Sequence, residues 1–205
     1  GTFEDVTAAM GCDSTRWSLA VAAADMDGDG WIDLYVANDY GPEELFKNHG
    51  GERFELLGGI GLEESSKSGM SVTLGDFENE GRYGVYVTNI SKERYLFQGN
   101  NLRRNRLAER GKLYNIADAS SSAARAIVDC GWAWGAQFGD LDNDGRLDLV
   151  VTALNEKPRI LLNLFHPTYA HSRGGKALAE AARQLPNLTF RNVCQEYPDL
   201  KIDVK

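Results

Sequence analysis

The sequence predicts an all-β protein built from repeated units, and two observations support this prediction. The first is that three segments align in register: Trp17–Asn38, Ser68–Asn89 and Trp132–Ala153. The second is that each segment opens with small and apolar residues, continues through an acidic turn rich in Gly and Asn, and ends in β-branched or aromatic residues, which favours two strands joined by a turn. The leading aspartates of the three turns recur with a period of roughly 50 residues.

Two further strand-like segments follow each of these pairs. The third strands are predicted at Glu44–Asn48, Tyr95–Asn100 and Arg159–Asn163. The fourth strands are predicted at Arg53–Leu57, Lys112–Ala117 and Leu188–Val193. Four short strands in a unit of roughly 50 residues are typical of a β-propeller blade.

The blade boundaries follow from these strands. A single propeller segment over residues 1–205 would contain blades at about 17–58, 68–117 and 132–193. Blade three carries an insertion at 164–187, and good helix formers between a Gly pair and Pro186 predict a short helix near 174–185. Thr2–Thr7 resembles a fourth strand, so we expect an orphan N-terminal strand. Because propellers close with roughly four to eight blades, three blades indicate part of a larger or inter-chain propeller.

Charge and hydropathy exclude two classes of protein. The chain has 22 Lys and Arg against 30 Asp and Glu, a net charge of −8, which is the wrong sign for a protein that follows nucleic-acid phosphates. The basic run Arg103, Arg104, Arg106 and Arg110 is interpreted as a solvated loop rather than a nucleic-acid patch. The longest apolar stretch, Leu19–Ala24, is far shorter than the roughly 18 residues of a membrane-spanning helix, so we expect no membrane span.

Two of the acidic turns have the pattern of a calcium loop, D-x-D-x-D-G-x-x-D. Their predicted ligands are Asp25, Asp27, Asp29, Trp31 and Asp33 in the first, and Asp140, Asp142, Asp144, Arg146 and Asp148 in the third. Trp31 and Arg146 would contribute only their backbone carbonyls. Carboxylates at alternate positions of a tight loop converge on one point, and a flexible set of hard oxygen ligands favours Ca²⁺ over Mg²⁺. We therefore predict two calcium sites.

An EF-hand and a metal-free hairpin turn are the two alternatives to a strand-flanked calcium loop. An EF-hand needs a Glu at position twelve and flanking helices, whereas Val36 and Val151 occupy that position inside predicted strands. A metal-free hairpin turn would hold four carboxylates together, although like charges about 4 Å apart repel by roughly 1–4 kcal/mol per pair. Both alternatives are therefore less consistent with the sequence than calcium binding.

The turn of the second segment departs from the pattern and serves as an internal comparison. It has Glu78 and Glu80 where the other two have Asp, and Gly84 where they have the ninth-position Asp. The longer Glu side chains would crowd the site, and one ligand is absent. We predict a weak or empty site at Asp76, with the turn held by Arg82.

These motifs resemble the FG-GAP or VCBS repeat family, and within it the cartilage acidic protein-like group. The resemblance lies in AAADMDGDGWIDLYVAND followed by ELFKN, and in GWAWGAQFGDLDNDGRLDLVV. It implies an integrin-α-like β-propeller, with calcium in the loop joining the first and second strands of a blade. It also implies partner binding on the opposite face, formed by loops such as Asn38–Glu43, Asn89–Arg94 and Asn155–Pro158.

The expected function is an extracytoplasmic, calcium-stabilised module that binds a protein or glycan, or a structural subunit whose open blades are covered by remaining blades or another subunit. No catalytic constellation is evident, since His49, His166 and His171 are not next to a predicted nucleophile. The alternative is a sugar-acting lyase or dehydratase with its active site in other blades or across a subunit boundary. The three cysteines, Cys12, Cys130 and Cys194, are too few for a disulfide scaffold.

Overall fold

The computed structural model of the chain describes residues 1–63, 67–92, 96–117, 127–128, 130–154, 160–165, 180, 184 and 188–192. Its first strands are β1 (Ser18–Ala24), β2 (Asp33–Asn38), β3 (Glu44–His49), β4 (Arg53–Leu56), β5 (Ser71–Gly75), β6 (Gly84–Thr88), β7 (Ser91–Lys92) and β8 (Leu96–Phe97). They are followed by β9 (Asn101–Arg106), the short helix α1 (Leu107–Arg110), β10 (Lys112–Asn115), β11 (Trp132–Gly139), β12 (Asp148–Leu154), β13 (Ile160–Phe165) and β14 (Leu188–Asn192).

Three four-stranded sheets confirm the all-β prediction. Blade one has the strand order β1-β2-β3-β4, blade two β5-β6-β9-β10 and blade three β11-β12-β13-β14. A small hairpin, β7-β8, leaves the second blade between β6 and β9. The described sheets stack as propeller-like blades and do not close into a ring. Within the described part of the chain, no helix has the length and apolar character that a membrane crossing requires.

Blade two is the middle layer, because both faces of β6 are buried. Val85 and Val87 point toward blade one, whereas Tyr86 between them points toward blade three. The core between blades one and two consists of Ala24, Met26, Tyr35, Ala37, Leu45, Ile60, Leu62, Val85, Val87, Leu107 and Leu113. The core between blades two and three consists of Tyr86, Leu102, Ala117, Ile127, Cys130, Ala133, Phe138, Leu149, Val151 and Ala153.

The prediction for the third strand of blade two was wrong, because the strand begins six residues later than predicted. The strand is Asn101–Arg106, not Tyr95–Asn100, and Val85 of β6 pairs with Arg103. The Asn100 side chain closes the preceding loop instead, since its Oδ1 accepts a 2.8 Å hydrogen bond from the Asn89 backbone N–H. Asn89 in turn donates its side-chain amide to the Gly99 carbonyl at 2.9 Å. These two hydrogen bonds hold the end of the loop that precedes β9.

The observed position of β9 also contradicts the interpretation of the basic run as a solvated loop. Arg103, Arg104 and Arg106 lie on β9, and Arg103 is only 1% exposed. Successive side chains on a strand alternate between its faces, so these arginines divide between the blade interface and the acidic turn of blade two.

The predicted orphan strand at Thr2–Thr7 was also wrong. Residues 1–6 have no regular structure and residues 7–11 form a turn. The Val6 carbonyl accepts a hydrogen bond from Met10 N–H at 2.8 Å, and Thr7 N–H donates to Asp5 Oδ1 at 3.0 Å. A strand needs a neighbouring ladder for its backbone groups, whereas the bonds described here are the local ones of a turn.

The last strand of blade three differs from a simple meander. Leu188–Asn192 forms the predicted strand, but it runs parallel to β13, with Leu162 opposite Phe190. Parallel pairing needs a long connection, and residues 166–187 supply one. The predicted helix near 174–185 and most of the insertion at 164–187 lie outside the described residues.

Candidate metal centre

The three acidic turns, here called loops one (25–33), two (76–84) and three (140–148), share one backbone frame. In loop one, Asp25 accepts backbone N–H bonds from Gly28 at 2.8 Å, Asp29 at 3.1 Å and Gly30 at 2.8 Å. The leading aspartates of the other loops accept the N–H groups at the fourth and fifth following positions in the same way, namely those of Glu80, Gly81, Asp144 and Gly145. The leading Asp therefore folds the turn in all three repeats.

The glycine at the sixth position is required by its backbone conformation. Gly30 has φ of 92° and Gly145 has φ of 84°, both in the left-handed region that other residues rarely adopt. The chain can thereby bend sharply behind the carboxylates. This is the role that the sequence pattern predicts for glycine there.

Three carboxylates converge in loop one. Asp25, Asp27 and Asp29 each place an oxygen within 4.8 Å of the others. Asp33 lies outside this group. Its Oδ2 accepts the Met26 N–H at 2.9 Å and its Oδ1 accepts the Asn48 N–H at 2.8 Å. Asp33 is 1% exposed, and burial raises its pKa. It fastens the base of the loop to β3.

Loop three brings together a different set. Asp140, Asp142 and Asp148 each offer an oxygen within 4.8 Å of the others. Asp148 also accepts the Leu141 N–H at 3.1 Å, so it anchors the loop as Asp33 does. Asp144 lies outside this group, and its Oδ1 accepts the Arg146 N–H at 2.9 Å. Of the eight predicted carboxylate ligands, the structure thus brings six into two groups of three.

The two predicted backbone ligands stay predictions. The N–H groups of Trp31 and Arg146 donate to the aspartate two residues earlier, in both loops at 2.9 Å. These bonds give the seventh position the same turn geometry in both loops. These bonds involve the N–H groups and not the carbonyls of Trp31 and Arg146, which are the atoms predicted as ligands.

The donor sets fit a hard divalent cation. Each group consists only of carboxylate oxygens, the ligand type that Ca²⁺ prefers. Because three carboxylates within 4.8 Å repel one another, a cation among them would relieve a local electrostatic penalty. The residues that would hold calcium are those of the two converging groups.

Loop one carries a cation of its own. The Lys47 ammonium, on β3, lies against the carboxylates of Asp27 and Asp29, with Nζ 2.8 Å from Asp29 Oδ2. The hydrogen bond from Lys47 lowers the pKa of Asp29, and the two carboxylates, that of Asp27 first, raise the pKa of Lys47. Lys47 lies outside the sequence pattern from which the site was predicted.

The acidic side chains of loop two form ion pairs with arginines. Glu78 pairs with Arg104 at 2.6 Å and with Arg106 at 3.2 Å. Glu80 pairs with Arg106 at 3.0 Å and with Arg82. Among the described residues, no metal-sized group of three acidic side chains occurs at this loop. The contact with Arg82 is the one expected from the sequence, and the weak or empty site stays a prediction.

The ninth position of loop two is closed by packing. Gly84 is buried, and a Cβ built there would overlap the ring of Phe77. Phe77 in turn stacks on Phe138 of blade three, with ring centroids 5.9 Å apart. An aromatic ring therefore takes the space beside the ninth position, where loops one and three place an aspartate.

A repeated asparagine marks the end of the third strand and is visible in the sequence. Asn48 donates its side-chain amide to the Ile32 carbonyl at 3.0 Å, and Asn105 donates to the Tyr83 carbonyl at the same distance. Ile32 and Tyr83 each precede the ninth loop position. Aligning Asn48 with Asn105 would have placed β9 correctly.

The histidines and cysteines named from the sequence either make local contacts or lie outside the described residues. His49 Nε2 contacts Glu55 Oε2 at 2.6 Å across β3 and β4. Cys12 is half-buried, and Cys130 is buried with its sulfur 3.8 Å from Tyr86 Oη. His166, His171 and Cys194 are outside the described residues.

Two of the three blade-like sheets, those of blades one and three, carry a D-x-D-x-D-G turn between their first two strands. Residues 25–87, from loop one to the end of β6, match the FG-GAP-like repeat family. The chain is also similar to cartilage acidic protein 1 of Mus musculus, Xenopus tropicalis and Homo sapiens. Each is 29% identical over 74% of this chain, which spans 23% of the length of each relative. The resemblance inferred from the motifs is thus confirmed.

Proposed function

We propose that this chain is a calcium-stabilised segment of an extracytoplasmic β-propeller that serves as an interaction module. The observation that supports this is the contrast between the loops. Loops one and three each gather three carboxylate oxygens within 4.8 Å, whereas arginine side chains pair with the acids of loop two. Two repeats keep the chemistry of a cation site, and the third has substituted a protein cation for it.

Calcium would act here as a structural ion. Each loop joins the first two strands of a blade, so an ion held there fixes the spacing of the strands without contacting a substrate. Sites of this kind in extracellular modules bind with Kd of roughly 10⁻⁴–10⁻³ M, which leaves them filled outside cells and empty in a cytosol. This supports an extracellular, periplasmic or cell-surface location for the proposed function.

The partner surface is proposed at the opposite end of the blades, and the partner is a protein or a glycan. There the Asp39–Glu43 connection presents Tyr40, which is 64% exposed and packs edge-to-face on Trp17, with ring centroids 6.4 Å apart. Exposed aromatic side chains with a polar surround are common in binding surfaces. Residues Asn155–Pro158, assigned from the sequence to the partner surface, lie outside the described part of the chain.

We expect calcium to raise the thermal midpoint of the chain. At a concentration ten times Kd, each site adds about 1.4 kcal/mol to the free energy of unfolding, so two sites add about 2.8 kcal/mol. For a chain of this size that corresponds to a rise of roughly 5–10 °C, measured by calorimetry in calcium and in chelator.

Matched variants show whether the loops cause the rise of the thermal midpoint in calcium. The double variant Asp27→Asn, Asp142→Asn removes one converging carboxylate from each loop and should abolish most of the calcium-dependent rise. Glu78→Gln changes the equivalent position of loop two and should leave the rise intact. The same midpoint in calcium and chelator for the unaltered chain would contradict structural calcium.

A further part of the proposal is that blade one is covered by another blade of a larger propeller. The face of β1 turned away from blade two exposes Leu19 by 54% and Val21 by 62%. Together with Leu34, Val36 and Phe46 these residues line a groove of about 300 Å³. Inner blades of a propeller are covered on both faces, as blade two is here, and an apolar sheet face of this kind fits a sheet of the same type.

The open face should make the isolated chain associate. We expect sedimentation velocity to show concentration-dependent self-association of the unaltered chain, and the variant Leu19→Lys, Val21→Lys to stay monomeric. Because both side chains are exposed, the free energy of unfolding of the variant should stay within roughly 1 kcal/mol of that of the original chain. A chain that is monomeric at every concentration would count against a covered face.

A further inference from the structure

Lys47 is placed where it can act on calcium without being a ligand. Its ammonium lies against Asp27 and Asp29, two of the three converging carboxylates of loop one. The contacts are partly shielded from water, since the Lys47 side chain is 24% exposed and that of Asp27 is 21% exposed. A cation held at this position lowers the negative potential that a metal ion would meet.

Lys47 occupies the same place in its repeat as Arg104 does in blade two. In blade one Leu34 pairs with Phe46, and in blade two Val85 pairs with Arg103. Lys47 and Arg104 are the next residues along each third strand. Arg104 contacts Glu78 as Lys47 contacts Asp27, at the third position of each loop.

The two side chains nevertheless differ in what they permit. In loop two Glu78 and Glu80 are held by several guanidinium groups, which bind carboxylates in a fixed planar geometry. In loop one Lys47 provides a single ammonium on a flexible stem, and Asp25 has no described contact with it. An ion can therefore displace the contacts of Lys47 more easily than it could displace the arginines.

We propose that Lys47 is a tethered cation that competes with calcium for loop one and lowers the calcium affinity of that loop. This inference rests on the calcium binding proposed above. The cation of loop three is placed differently, since Arg146 is half exposed and 4.0 Å from Asp144, a residue outside the converging group. Lys47 also compensates the carboxylates of loop one when calcium is absent.

Terbium provides a readout specific to loop one. Trp31 lies at the seventh position of this loop, and its ring can sensitise the luminescence of a Tb³⁺ ion bound there. Trp132 and Trp134, by contrast, lie at the far end of β11 from loop three. Calcium titrated against the Trp31-sensitised signal then reports the calcium affinity of loop one.

Lys47→Met should bind calcium at loop one about tenfold more tightly. A unit positive charge a few ångströms from a divalent ion makes the binding free energy of that ion less favourable by roughly 1.4 kcal/mol even in a high dielectric. The same variant should have a lower thermal midpoint in chelator. Lys47→Arg keeps the charge and should bind no more tightly than the original chain. Lys112→Met removes an exposed lysine of blade two and should leave the affinity unchanged.

Three outcomes decide between the proposals. A tenfold gain in Lys47→Met alone supports competition by Lys47. A Trp31-sensitised signal with equal calcium affinity in Lys47→Met and the original chain would overturn the role of Lys47 and leave calcium binding in place. A chain with no sensitised signal, whatever residue stands at position 47, would overturn calcium binding at loop one. If Lys47→Met folds only in calcium, Lys47→Gln supplies the same comparison.

Discussion

Replacing Arg103 by methionine is expected to lower the free energy of unfolding by about 3–5 kcal/mol, the range found when one partner of a buried ion pair is removed. Arg103 is 1% exposed and its Nε is 2.8 Å from Glu43 Oε2. It comes from blade two and Glu43 from blade one, so the pair joins two blades. Methionine fills a similar volume but leaves the Glu43 carboxylate buried without its cation. Urea denaturation measures the difference.

The surroundings of Glu43 explain why the carboxylate cannot simply turn to water. It is 8% exposed, and it also accepts hydrogen bonds from Tyr35 Oη and from Asn101 Nδ2, the latter at 2.6 Å. Burial, followed by the charge of Glu43, raises the pKa of Tyr35, so the tyrosine stays a neutral donor. These neutral donors hold the carboxylate in place but do not offset its charge.

Two controls separate loss of charge compensation from loss of packing. Arg104→Met, on the same strand, removes a partly exposed pair with Glu78 and should cost below about 1 kcal/mol. The double variant Arg103→Met, Glu43→Gln removes both charges and should regain part of the loss. Equal losses for Arg103→Met and Arg104→Met would contradict the interpretation of Arg103 as an interblade anchor.

The parts of the fold that the sequence predicted well are those next to the acidic loops. The leading Asp and the sixth-position Gly fix each turn through local backbone bonds, so the strands on either side have defined starting points. The first and second strands of all three blades were therefore predicted within a few residues. The convergence of six predicted carboxylates follows from the same local geometry.

The third strand of blade two depended on distant contacts, and its prediction was wrong for that reason. Asn101–Arg106 has no apolar alternation, because its inward residue Arg103 is balanced by Glu43 in another blade. The apolar residues of the preceding YLFQGN segment, Tyr95–Asn100, therefore predicted the strand there instead. Lys47 was missed for a similar reason, since its partners lie in a loop that precedes it by about 20 residues.

A last prediction concerns Gly84, where a simple repair of loop two should fail. Gly84→Asp restores the ninth-position aspartate of the pattern, yet we expect it to lower the free energy of unfolding by about 3 kcal/mol, from overlap in a packed core and burial of a carboxylate. The new Cβ would overlap Phe77, which cannot withdraw because it stacks on Phe138. Urea denaturation measures the loss, and terbium binding should show no new site.

Phe77→Leu is the matching change, because loop three has Leu141 at the equivalent second position beside its Asp148. Alone it should cost about 1 kcal/mol by removing the stacked ring. In combination, the carboxylate introduced by Gly84→Asp could accept the backbone N–H groups of residues 77 and 105, as Asp33 does from Met26 and Asn48. The double variant should therefore be more stable than Gly84→Asp alone. Additive losses would show that the ring of Phe77 does not exclude the ninth ligand from blade two.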